Sequence, residues 1–135
     1  MIVIDTNVLF DYLTESPGQD ACQMLADIEP IWGIPNFWRA EFLNGLNTYV
    51  KAGKMSQSEA LQLWNSARNL PRLREYPSNE LQAFSLSVKY RTSVYDAFFL
   101  ALAYELGVYL VTADKRLIAA APQLAVHYLE YLKKP

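Results

Sequence analysis

What most constrains this chain is its alternation of short, uniformly apolar segments with longer stretches of helical spacing. A short buried strand is read over residues 2–5, beginning IVI; a second over 31–34 lies between Pro30 and Pro35, and a third over 108–112 reads VYLVT. Strands this short and apolar predict burial on both faces, the signature of a parallel sheet covered by crossover helices. The helical stretches fall between them. One runs over about 7–13 and a second over 19–28, with Cys22, Leu25, Ala26 and Ile28 on its apolar side. Asn36 reads as the N-cap of a helix through about residue 51, striped by Phe42, Leu43, Leu46 and Val50. Ser56 and Glu59 form a capping-box pattern opening a helix to about residue 70. Residues 72–76 read as a short strand closed by Pro77, after which Ser78 caps a helix to about residue 89. Ser93 opens the apolar helix VYDAFFLALAYEL, stopped by Gly107. A short helix over 114–121 and a last strand over 126–131 complete the pattern. The expected fold class is α/β: a three-layer α/β/α sandwich with a mainly parallel central sheet, in one domain spanning residues 1–135. In such folds, sites gather at the carboxyl ends of the strands.

Composition narrows the function. A net charge of −2 argues against a plain nucleic-acid-binding module that relies on a basic surface. No apolar run reaches the ~20 residues needed to cross a bilayer, and no basic n-region marks a secretory signal, so no membrane partner is expected. The lone Cys22 cannot form an internal disulfide, which points to the reducing cytoplasm and to a small core residue.

Within the predicted frame, four acids stand at suggestive positions. Asp5 ends the first strand in IDTN, Glu41 lies early in the helix after the second, Asp96 is in the first turn of VYDAFFLALA, and Asp114 follows VYLVTA. Asp5 alone reads equally as a helix cap, a phosphate acceptor or a metal ligand. Asp96 completes a Ser93-x-x-Asp96 capping pattern, and Asp114 could cap too. Glu41, between Ala40 and Phe42, has no such explanation. Four carboxylates at one sheet edge would repel one another, and a hard divalent cation, Mg²⁺ or Mn²⁺, is the natural offset. Zinc is disfavoured, because His127 is the only histidine and reads as a strand-face residue.

The strand end IDTN, the helix PNFWRAEFLNGL, the segment SVYDAFFLALAYELG and the strand LVTADKRL together resemble the PIN-domain ribonucleases, in particular the toxin subunits of VapBC-type toxin–antitoxin systems. The resemblance spans essentially the whole chain, in order. It implies that Asp5, Glu41, Asp96 and Asp114 form a metal-binding catalytic quartet, with Thr6 or Asn7 and Thr112 orienting the carboxylates. It also implies the sandwich fold, a homodimer and an antitoxin partner. Some relatives carry a further acid where this chain has Lys115 and Arg116, which leaves the ion count open at one or two.

The function expected is metal-dependent hydrolysis of RNA phosphodiesters, leaving a 5′-phosphate and a 3′-hydroxyl. Lys115 and Arg116, beside Asp114, are candidates for RNA contact; Arg68, Arg72 and Arg74 are a second basic group, read as solvated surface. Trp38 and Tyr95 could stack bases but read more readily as packing residues. The alternatives are a PIN nuclease of RNA processing or decay without an antitoxin, a catalytically silent PIN-like binding module, and an aspartyl-phosphate phosphatase acting through Asp5. The last would pair Asp5 with a second Asp two positions on, where this chain has Asn7. A response-regulator receiver would need adjacent acids at the end of the first strand, and only Asp5 is there.

Overall fold

In the computed structural model, which describes residues 1–135, five strands form one sheet, all parallel, in the order β3-β2-β1-β4-β5. They are β1 (Ile2–Ile4), β2 (Trp32–Pro35), β3 (Leu73–Tyr76), β4 (Leu110–Thr112) and β5 (Ala125–His127). The helices are α1 (Thr6–Leu13), α2 (Gln19–Ile28), α3 (Trp38–Lys51), α4 (Gln57–Arg68), α5 (Glu80–Tyr90), α6 (Val94–Leu106), α7 (Lys115–Ala120) and α8 (Tyr128–Leu132). From β1 the chain first works outward through β2 to β3, then returns to lay β4 against the other side of β1. The β1–β4 seam is therefore the switch point of the sheet, where diverging connections leave a crevice beyond the carboxyl ends.

Central strands β1 and β4 are fully buried, and the solvent-reaching residues of the sheet lie in β3 and β5. Helix α6 packs across β1, β2 and β4, with α5 against its back. Its apolar composition on all sides follows from that sandwiched position: Ala97, Phe99, Leu100, Ala101, Leu102 and Ala103 are all buried. Burying a side chain such as Phe99 or Leu100 contributes about 1.5–3 kcal/mol. Helix α1 meets β4 and touches α2, α3 and α4. One core of 29 buried residues joins the helices to the sheet.

The α1–α3 contact matters most for the site. Phe10 stacks on Phe42 with ring centroids 4.3 Å apart and an interplanar angle of 16°. Gly45 makes room for that ring, since a Cβ there would sit 2.7 Å from Phe10 Cε2 and Cζ. Helix α1 thereby docks at a fixed height on α3.

Several local signals hold. Ser56 and Glu59 form the reciprocal box, Ser93 caps α6, and Gly107 ends it in the left-handed conformation with φ 67°. Others are corrected. Asn36 does not cap α3; its Oδ1 accepts a 2.7 Å bond from Ser78 Oγ. Asn79, not Ser78, caps α5, accepting from Gln82 N at 3.0 Å. The two expected caps thus tie the end of β2 to the start of α5. The strand expected over 126–131 is only Ala125–His127, because His127 Nδ1 accepts from Leu129 N at 3.1 Å and starts α8.

Candidate active site

Asp5 follows the last residue of β1, at the switch point, and is only 7% exposed. The cap reading is correct as far as it goes: Oδ1 accepts from Thr6 N at 2.8 Å. The other oxygen does something a cap does not require. Oδ2 accepts from Thr112 Oγ1 at 2.8 Å across the seam, and more weakly from Asn7 Nδ2 at 3.4 Å. Thr112, wholly buried at the end of β4, also accepts from Asp114 N at 3.0 Å. Asn7 Oδ1 accepts from Ala113 N at 3.1 Å, so Asn7 ties the ends of β1 and β4 together.

Thr6 serves a different carboxylate. Its hydroxyl donates to Glu41 Oε1 at 2.9 Å, linking the first turn of α1 to that of α3. The Phe10–Phe42 stack, one turn beyond Thr6 on α1 and next to Glu41 on α3, holds the two helices in the register this bond needs.

Asp96 enters from α6. Ser93 Oγ accepts from Asp96 N at 3.0 Å, but only this half of the expected box forms. Asp114 caps α7 with Oδ1, which accepts from Arg116 N at 3.0 Å and Leu117 N at 3.2 Å, leaving Oδ2 free.

The four carboxyls feel one another. Burial pushes Asp5 up to about 6, opposed by its bonds from Thr112 and Thr6 and reinforced by the charges of Asp96 and Asp114. Burial pushes Glu41 up to about 7, opposed by the Thr6 hydroxyl and reinforced by Asp5 and Asp96. Asp96 is raised by burial and then by Asp114, with Ser93 and Arg116 acting against the rise. The structure thus couples the four expected acids pair by pair: Asp5 with Asp96 and Asp114, Glu41 with Asp5 and Asp96, and Asp96 with Asp114. They do not close into a ready-made cation cage: no three acidic, histidine or cysteine side chains converge that tightly. Like charges lower their mutual repulsion by standing apart. As a donor set, though, the quartet fits a hard divalent ion, offering only carboxylate oxygens, several of them unengaged.

Beside the quartet is a cleft of about 350 Å³, lined by Arg91, Thr92, Ser93, Asp96, Asp114 and Arg116 together with two apolar residues of α7 and its end. Arg116 lies where expected. Lys115 is exposed but does not line this cleft; its charge falls on His127, whose pKa is lowered first by burial and then by Lys115. Arg91 and Thr92 were not singled out from the sequence, and the only signal was their position immediately before the Ser93 cap.

Arg72 and Arg74 are engaged within the fold. Arg72 Nη1 donates to Ala26 O and Pro30 O at 3.2 and 3.4 Å, and its guanidinium lies over Tyr12 and Trp32. Arg74 Nη1 donates to Pro71 O at 2.7 Å. Trp38 is fully buried with Nε1 donating to Glu75, whereas Tyr95 is 62% exposed and stacks on Phe37. Cys22 is a core residue whose thiol burial pushes up to about 12.

Comparison with known proteins agrees with this architecture. Residues 2–122 match the family model described as the PIN domain. The chain is 32% identical over 128 residues to Ribonuclease VapC3 of Pyrobaculum aerophilum, covering 91% of this chain and 96% of that protein. Among solved structures, PAE2754 from Pyrobaculum aerophilum superposes with a TM-score of 0.76 at 19% identity, covering 97% of this chain and 92% of that one. A toxin–antitoxin complex from Klebsiella pneumoniae gives 0.71 at 18% identity, covering 95% and 98%. VapBC2 from Rickettsia felis, bound to a DNA fragment from its promoter, gives 0.69 at 16% identity, covering 94% and 98%. With the family model matching nearly the whole chain and the fold agreeing, this chain belongs to the PIN-domain family.

Proposed function

We propose that the chain is a metal-dependent endoribonuclease, the toxin of a toxin–antitoxin pair. One observation carries this reading: four carboxyls brought from distant parts of the chain lie close enough to feel one another's charge, three of them with raised pKa values. A fold does not assemble such mutual repulsion for stability. The similarity to a protein named as a ribonuclease supports RNA as the substrate, and the likeness to a toxin–antitoxin complex supports an antitoxin partner. A homodimer belongs to the same reading.

Asp5, Glu41, Asp96 and Asp114 would hold Mg²⁺ or Mn²⁺, with Asp5 and Asp96 as the most direct ligands. When bound, the ion supplies Lewis acidity and neutralises charge developing on the phosphodiester. The chain's own residues do the positioning. Thr112 and Asn7 fix the Asp5 carboxylate from β4 and α1, and the Thr6 hydroxyl fixes Glu41 through Oε1. That leaves Glu41 Oε2 to orient an attacking water and accept its proton. Asp5, buried and bonded at both oxygens, has the setting of a fixed ligand rather than of a free nucleophile, which disfavours an aspartyl-phosphate enzyme.

Asp96→Asn tests the reading, because Ser93 caps α6 through the Asp96 main-chain N–H, which the replacement keeps. Cleavage of RNA in Mg²⁺ or Mn²⁺ should fall by at least about a hundredfold, with an unfolding midpoint in EDTA that is level or higher, since the replacement also removes the repulsion from Asp114. Undiminished cleavage by the wild-type chain in excess EDTA would overturn the metal assignment.

A further inference from the structure

We infer that Arg91 grips a backbone phosphate of the RNA substrate, facing Arg116 across the Asp96–Asp114 cleft; this rests on the ribonuclease reading above. Arg91 ends α5 in the left-handed region, with φ 56° and ψ 43°. It is the only non-glycine residue in the chain with a positive φ; the other two such positions are Gly53 and Gly107. A β-carbon resists this conformation, whereas glycine adopts it freely and asparagine readily. The helix ending itself depends only on main-chain groups, as in the bond from Thr92 N to Ser87 O at 3.1 Å. Nothing in the fold therefore requires a long cationic side chain at this position.

Nor does the side chain repay the strain from within the chain. Its guanidinium has no hydrogen-bond acceptor, ion-pair partner or aromatic face. Arg39, by contrast, pairs with Glu75 at 2.7 Å, and Arg72 and Arg74 donate to backbone carbonyls. Arg91 is exposed and lines the cleft beside two of the four acids. Strain kept at a cleft, by a residue unengaged in the fold, marks a ligand contact.

Charge gives the ligand class. Two arginines and two aspartates line the cleft, so its formal charge is zero before a divalent ion binds and positive afterwards. With a net charge of −2, the chain has no global field to draw RNA in, and attraction must come from groups at the site itself. A guanidinium suits a phosphate, which it can contact through two parallel N–H donors. Arg116 leaves from the first turn of α7 and Arg91 from the end of α5, so the two line the cleft from separate elements.

The test is Arg91→Gly, with Arg91→Asn and Arg91→Lys beside it. Each is assayed for RNA cleavage in Mg²⁺, for urea unfolding, and, in an Asp96→Asn background, for binding of a fluorescein-labelled single-stranded RNA oligonucleotide across a salt series. Arg91→Gly should raise KM roughly tenfold with kcat within about twofold, while its unfolding midpoint stays level or rises. The slope of log affinity against log salt should become shallower by about 0.7. Arg91→Asn should match Arg91→Gly, and Arg91→Lys should recover part of the affinity. Unchanged KM and salt slope in Arg91→Gly, or full affinity in Arg91→Asn, overturns the inference and leaves the ribonuclease reading standing. A wild-type chain that neither binds nor cleaves RNA overturns both.

Discussion

Replacing Asp5 by Asn should stabilise the metal-free protein while abolishing its activity. Asp5 is 7% exposed and its carboxyl is pushed from 3.8 up to about 6, chiefly by burial. A rise of about two pKa units corresponds to about 3 kcal/mol by which the fold disfavours the ionised form at neutral pH. Asn removes that penalty but not for free. Its amide can accept from Thr6 N through oxygen, but its nitrogen then faces the Thr112 hydroxyl, which must turn away from the donor it meets. Losing the quality of that bond costs about 1 kcal/mol. The net expectation is a gain of about 1–2 kcal/mol at pH 7.5 in EDTA, measured by urea unfolding. The pH dependence supplies the sign check. Because the folded-state pKa lies above the unfolded value, the Asp5 contribution is most favourable below about pH 4 and is lost as pH rises through about 6. The advantage of Asp5→Asn should therefore be absent near pH 4 and fully developed above pH 6. Adding Mg²⁺ should reverse the order by stabilising wild type more than the variant. A variant less stable than wild type in EDTA at pH 7.5, or a difference flat with pH, would refute the burial argument.

Two further substitutions separate the parts of the site. Thr112→Val keeps shape but removes the donor to Asp5 and the acceptor for Asp114 N; it should cost about 1–3 kcal/mol and lower kcat more than it raises KM, read by urea unfolding and steady-state cleavage. Gly45→Ala puts a Cβ 2.7 Å from the Phe10 ring and should destabilise by about 1–3 kcal/mol, checked by thermal unfolding. Because the α1–α3 docking carries the Thr6–Glu41 bond, Gly45→Ala should also reduce cleavage, though its site is not at the cleft.

The parts legible in the sequence are those fixed by neighbours along the chain. The uniformly apolar runs announced buried parallel strands, the box of Ser56 and Glu59 is complete within four residues, and Gly107 marks the one turn where α6 must reverse. The acids were readable because each stands where a strand ends or a helix begins. What escaped depends on contacts between distant segments. Asn36 and Ser78 both look like caps, yet they bond to each other across 42 residues. Thr6 was grouped with Asn7 as an orienter, but only the α1–α3 geometry shows that Thr6 serves Glu41 and Asn7 serves Asp5. Arg91 escaped because a left-handed backbone leaves no trace when the residue is not glycine.

The β1–β4 seam has a consequence for how the protein is made. Asp5 and Glu41 belong to the first-synthesised half, Asp96 and Asp114 to the second, and the Thr112–Asp5 bond joins residues 107 apart. A growing chain that has emerged only as far as β3 carries Asp5 and Glu41 with nothing opposite them, so under the ribonuclease proposal it should stay inert until α6 and β4 have followed. Two separately expressed fragments divided between β3 and α5 should likewise be harmless apart and competent only once reassembled.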